Sequence, residues 1–168
     1  LRLSTQRRAV NGVSISANYT RSYCVGNDPQ VTFFTGGQSF QDPENPDWDR
    51  GNCTYSGKHI GNATVGWETP QFANRAMNVV ASGWNISGIL SARSGSWLTV
   101  TTAQDRAATG ITGQRVDQVL DDPYGNKTLD NYLNPAAFAL PAIGNLGTHV
   151  RASIEGPGYW TIDLALAR

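Results

Sequence analysis

The sequence predicts an all-β fold: antiparallel strands from the wall of a transmembrane β-barrel, a partial barrel with two long extracellular loops. Three observations predict it. Long segments alternate apolar residues with small uncharged polar ones, the two-residue period of a strand with unlike faces. The connections between these segments alternate between short and long, an asymmetry that outer-membrane barrels show between their periplasmic and extracellular sides. Charged residues make up only 15% of the chain and stay off the apolar faces of the clearest strands, where a Lys or Arg at the bilayer midplane would cost about 2–4 kcal/mol, although the inward face of a soluble sandwich would exclude them equally.

Residues 1–9 alternate weakly and lead into Asn11-Gly12, a strong two-residue hairpin signal. The strand expected over 12–22 is the clearest, with Val13, Ile15, Ala17 and Tyr19 on one face and Ser14, Ser16, Asn18 and Thr20 on the other. Exposed strands of soluble sandwiches usually carry Lys and Glu, whereas a wet barrel lumen accepts Ser, Thr and Asn. Residues 23–57 are rich in Gly, Pro, Asp and Asn and predict a long loop. A strand over 58–68 follows, with Gly61, Ala63, Val65 and Trp67 facing one way and Asn62, Thr64 and Glu68 the other, and Thr69-Pro70 ends it.

After a connection of moderate length, residues 84–102, WNISGILSARSGSWLTVTT, place Trp84, Ile86, Gly88, Leu90 and Ala92 at even positions. Leu98 and Val100 keep that parity across Ser94-Gly95-Ser96, which predicts a single long strand over 83–102. Such a strand needs a large sheet or barrel wall, since ordinary strands run about 5–6 residues and a membrane span about 9–11. Residues 103–157 lose the pattern and form the second long loop, with a short helical turn expected over 129–133 and stopped by Asn134-Pro135. The last strand, over 158–168, sets Trp160, Ile162, Leu164 and Leu166 against Thr161, Asp163, Ala165 and Ala167. Trp67 and Trp84 fall at the short-connection end, and Tyr19 and Trp160 toward the long-loop end, as two interfacial aromatic girdles require.

The net charge of zero argues against a nucleic-acid partner, and no apolar run approaches the 18 residues of a transmembrane helix. Cys24 and Cys53 bracket a loop-like stretch, and a pair in such a composition favours a disulfide in an oxidising compartment, worth roughly 3–4 kcal/mol by chain entropy. The alternative is two unrelated free thiols. A metal site would want more ligands nearby. Asp117, Asp121, Asp122 and Asp130 lack calcium-loop spacing and read as surface turns. The sequons at Asn18, Asn52, Asn62, Asn85 and Asn126 are expected by chance in a chain so rich in Asn, Ser and Thr. His59 and His149 are the only histidines, and with no Gly-x-Ser-x-Gly elbow and no triad spacing the chain is expected not to be an enzyme and to need no cofactor. Asn134, Pro135 and Phe138 read as a loop anchor, in which proline stiffens the chain and Phe138 supplies something to bury.

Several motifs carry a resemblance. Arg8 with Gly12-Val13-Ser14 and Asn18-Tyr19-Thr20-Arg21-Ser22, then Trp84-Asn85-Ile86-Ser87-Gly88-Ile89 with Ser94-Gly95 and Thr99-Val100-Thr101, resemble TonB-dependent outer-membrane receptors of the Oar-like type, which carry a carboxypeptidase-regulatory-like N-terminal domain. Gln114-Arg115-Val116-Asp117, Leu133-Asn134-Pro135-Ala136-Ala137-Phe138-Ala139-Leu140-Pro141, Gly144-Asn145, Gly156-Pro157-Gly158 and Ile162-Asp163-Leu164 follow in the family's order. Ser56-Gly57-Lys58-His59 and Ser96-Trp97 depart from its pattern.

The resemblance implies a bacterial outer-membrane location, contact with outer-membrane lipid, and energised uptake through the TonB system. An unidentified ligand would meet the extracellular loops. The plug, the TonB box and the N-terminal domain have no counterpart in these residues, so the chain is expected to be a late segment of the barrel. The competing expectation is a secreted β-sandwich binding or adhesion module that recognises glycan or protein.

Overall fold

The computed structural model describes residues 1–27 and 40–168, so part of the first expected loop, 28–39, lies outside the described residues. The chain forms two compact units. The first comprises Leu1–Ser22, Gly57–Gly95 and Gly158–Arg168, and the second Tyr23–Ser56 and Ser96–Pro157.

The first unit is a five-stranded antiparallel meander of β1 (Arg2–Val10), β2 (Val13–Arg21), β3 (His59–Glu68), β4 (Asn85–Arg93) and β5 (Tyr159–Ala167), each paired with its neighbours in chain order. Asn11 and Gly12, with φ of 53° and 79°, make the β1–β2 turn with both central residues left-handed, the twist a two-residue hairpin needs. A side chain at Gly12 would also overlap the Glu68 carbonyl oxygen.

Register turns the sequence parity into two faces. On one, Val13, Trp67, Ile86 and Leu166 form a row across the sheet, followed by rows of Ile15, Val65, Gly88 and Leu164, then Ala17, Ala63, Leu90 and Ile162, then Tyr19, Gly61, Ala92 and Trp160. On the other, Asn18, Asn62, Ser91 and Thr161 line up, with Asn62 Nδ2 donating to Asn18 Oδ1 at 3.3 Å. The apolar face has no covering layer among the described residues: Leu164 is 77% exposed and Ile162 53%. A sandwich would bury these side chains against a second sheet. The outer edges of β1 and β5 likewise pair with no other strand among the described residues.

Three expectations need correcting. Where the sequence predicts one strand over 83–102, β4 ends at Arg93. Trp97–Leu98 pairs instead with Ile154–Glu155, and Thr101–Thr102 with Gln114–Arg115, in the second unit. The parity persists because any extended pairing alternates faces, while the strand stops because its neighbour β5 begins at Tyr159, opposite Arg93. Residues 129–133 form no helix. Leu133 bridges Tyr124, and the helical turn comes after the proline, as a 3₁₀ turn at Pro135–Ala137. The connection between β3 and β4, read only as a link, holds a helix, α1 (Arg75–Ala81), capped by Asn74, whose Oδ1 accepts from the Ala76 and Met77 amides.

The two long loops are not structureless. Val25–Gly26 pairs with Gly51–Asn52, Asp117–Gln118 with Phe138–Ala139, and a 3₁₀ turn spans Pro46–Asp49.

Candidate functional site

The chain leaves the sheet and returns to it at the strand ends carrying Arg21, His59, Arg93 and Tyr159, which are neighbours in the register. Both long segments therefore depart from one end of the sheet. The other end carries the Asn11-Gly12 turn and the α1 connection.

Among its described residues the second unit buries few apolar side chains. Val116, Ala137, Ala152, Ile154 and Cys53 are buried, and polar groups make up much of the rest: Asp49, Gln114, Arg115, His149 and Arg151. The Asp49 carboxylate pairs with Arg115 Nη1 and accepts from the Gln41 amide at 2.7 Å. Arg115 Nη2 donates to the Trp48 carbonyl at 2.8 Å, and Arg151 Nη1 to the Asp49 carbonyl at 3.4 Å. One residue of the first segment thus joins two arginines of the second. The close approaches need glycine: a Cβ on Gly51 would overlap the Arg151 carbonyl, and one on Gly147 the Arg115 carbonyl.

Cys24 and Cys53 form a disulfide, with Cα atoms 5.5 Å apart. Beside it stand two tyrosines that sequence reasoning passed over: Tyr23, 88% exposed, and Tyr55, 71% exposed, whose hydroxyl lies 3.8 Å from Cys24 Sγ. Their adjacency to the cysteines was the available signal, since a disulfide holds the backbone on either side of it.

His149 is buried. Its Nδ1 meets Gln118 Oε1 at 3.0 Å and its ring lies edge-on to Phe138, with centroids 5.6 Å apart. Burial, reinforced by the nearby Arg115 charge, holds its pKa below the usual histidine value. The three residues read as a loop anchor occupy one short stretch: Asn134 Oδ1 accepts from the Ala136 amide at 3.1 Å, Pro135 opens the 3₁₀ turn, and Phe138 starts the strand that pairs with Asp117–Gln118. Asp105 accepts from the Thr109 and Gly110 amides at 3.0 and 2.7 Å and from Gln114 Nε2 at 2.8 Å. Desolvation pushes its pKa up, and these hydrogen bonds outweigh that and leave it lowered. Among the described residues no cluster of His, Cys, Asp and Glu is arranged to hold a metal.

In the sheet, Tyr19 and Trp160 lie in the row one step inside the strand ends from which the long segments depart, and Trp67 in the row six residues away along β3, about 20 Å at the rise of a strand. Trp84 immediately precedes β4 at that far end. His59, paired with Arg21 two residues further toward the long-segment end, reaches back so that its Nδ1 lies 2.6 Å from the Tyr19 hydroxyl. The aromatics therefore stand at the two ends of an uncovered apolar face.

No curated protein and no solved structure matches the chain. The family model for an outer membrane beta barrel domain matches residues 1–168, its full length. That match accounts for an apolar sheet face without a covering layer, which lipid covers in a barrel wall, and it sets the sandwich expectation aside. The chain belongs to the family of outer membrane beta barrel domains.

Proposed function

We propose that this outer-membrane domain is the ligand-facing part of a TonB-dependent receptor of the Oar-like type, which takes up a substrate with energy delivered from the inner membrane through TonB. The observation that carries the reading is the second unit. Two segments leaving the same end of the sheet fold into one body with its own buried ion pair and disulfide. A wall needs only short links, whereas a preorganised body on the long-loop side is what ligand capture requires, because binding residues on a rigid scaffold lose less entropy on contact. The family resemblance of the segments 84–101 and 133–141 supports the TonB-dependent type. Tyr23 and Tyr55 offer exposed rings on backbone that the disulfide ties together and are proposed to stack on a ligand.

The test is made in the bacterium of origin. Uptake of a panel of outer-membrane-impermeant nutrients is compared between the parent, a strain lacking the full-length gene, and a strain lacking TonB. A nutrient whose uptake needs both, and whose affinity falls in a Tyr23→Ala/Tyr55→Ala variant with normal barrel folding, supports the proposal. Uptake that needs this protein but persists without TonB makes it a passive channel. No uptake phenotype, with loss of surface attachment instead, makes it an adhesin.

A further inference from the structure

We infer that the connection between β3 and β4 is a lipid-anchored foot: α1 lies in the headgroup region of the periplasmic leaflet, with its apolar side chains among glycerophospholipids. The connection lies at the end of the sheet with the two-residue turn, and outer-membrane barrels keep their short turns on the periplasmic side.

Two side chains decide which side of the wall α1 takes. The Thr69 amide donates to the Trp84 carbonyl and the Trp84 amide to Thr69 Oγ1, both at 2.9 Å, so the β3–β4 pairing continues and Trp84 keeps the parity of Ile86, on the apolar face. Arg168 follows Ala167, which pairs with Asn85, and so stands opposite Trp84 on the same face. Its guanidinium lies over the Trp84 ring, 5.3 Å from the centroid. Both hold the C-terminus of α1: Trp84 Nε1 donates to the Val80 carbonyl at 2.7 Å, and Arg168 Nη2 to the Val79 carbonyl. These bonds satisfy carbonyls that a helix end would otherwise leave open, and they draw α1 toward the lipid side, away from the lumen side.

The helix itself has no buried residue. Met77 is 50% exposed and Val80 69%, and with Ala81 they share one face by their spacing, while Arg75, Asn78 and Ser82 take the other. A short helix with an uncovered apolar stripe, tied to an interfacial Trp and an Arg at the margin of an established lipid-facing surface, suits the acyl–headgroup boundary. Its apolar side enters the acyl region, and Arg75 and Arg168 reach phosphate.

The test uses the full-length protein in phosphatidylethanolamine/phosphatidylglycerol nanodiscs, with a nitrobenzoxadiazole probe on Val80→Cys or on Asn78→Cys. The Cys24–Cys53 disulfide leaves no competing thiol among the described residues. Barrel folding is checked by heat-modifiable gel mobility, and Met77→Cys repeats the measurement if Val80→Cys does not fold. The expected result is a blue-shifted Val80 probe, quenched several-fold more by lipid spin-labelled at acyl carbon 5 than the Asn78 probe is, and less by iodide. In an Arg168→Gln background this contrast shrinks. Equal iodide quenching at both positions would overturn the inference in favour of a foot projecting into water. A Val80 probe shielded from both quenchers would overturn it in favour of a covering protein.

Discussion

Replacing Asp49 by Ala removes the carboxylate on which the two segments of the second unit converge. Asp49, Arg115 and Arg151 are 5%, 2% and 4% exposed, so water does little to stabilise whatever charge is left. Breaking a buried ion pair from one side costs about 3–5 kcal/mol, because the surviving ion stays desolvated. Asp49→Ala falls at the upper end, since it leaves Arg115 without its carboxylate and Arg151 close by. Arg115→Met falls at the lower end, because the carboxylate keeps the Gln41 amide. At about 1.4 kcal/mol per factor of ten, the open population of the second unit rises roughly 10²-fold for Arg115→Met and 10³-fold or more for Asp49→Ala. The double variant Asp49→Leu/Arg115→Leu, which buries no charge at this pair, is less destabilised than Asp49→Ala alone. The assay is amide hydrogen exchange of the full-length protein in detergent, read over 96–157 with β1–β5 as the internal reference. A change in protection below about threefold for Asp49→Ala, or an equal loss in the sheet strands, would refute the reasoning.

Removing the disulfide with Cys24→Ser/Cys53→Ser releases a closure of 29 residues and lowers the stability of the second unit by about 3.6 kcal/mol in the chain-entropy model, measurable by the same exchange experiment. His149 makes that unit sensitive to acid. Its pKa is lowered by burial and then by Arg115, so the unfolded form binds the proton more readily, and the stability present above about pH 6.5 is lost as pH falls through the depressed value. Exchange protection over 96–157 should therefore weaken between pH 7.5 and 5, and less so in His149→Gln. On the wall, Leu90→Arg should destabilise the full-length barrel by about 2–4 kcal/mol in vesicle refolding while Ser91→Arg, on the opposite face, changes little; equal effects would reverse the assignment of the faces.

The strands of the sheet are legible because each face carries one kind of side chain, and a period of two needs no knowledge of neighbours. The same rule misleads after Arg93. Val100 keeps the parity of Leu90, yet where a strand ends depends on where its partner begins, and Tyr159 lies far away in the chain. α1 was missed although Asn74 is a good cap, because seven residues give periodicity too little length to register. The Cys24–Cys53 pair was readable from composition and spacing. The Asp49–Arg115 pair was not, because nothing local marks an aspartate in a turn and an arginine in a two-residue strand as partners.

By itself the sequence determined which residues share the apolar face and which the polar one, where the tight turn falls, and that two long segments separate the strands, because these follow from side-chain alternation and local backbone chemistry. Only the tertiary structure decided that those segments fold together as one unit, that a buried aspartate joins them through its carboxylate to Arg115 and its backbone carbonyl to Arg151, and that Trp84 and Arg168 hold the end of α1. Each of these depends on pairing between residues distant in the chain, and a buried charge declares its partner only when the fold has removed the water that would otherwise solvate it.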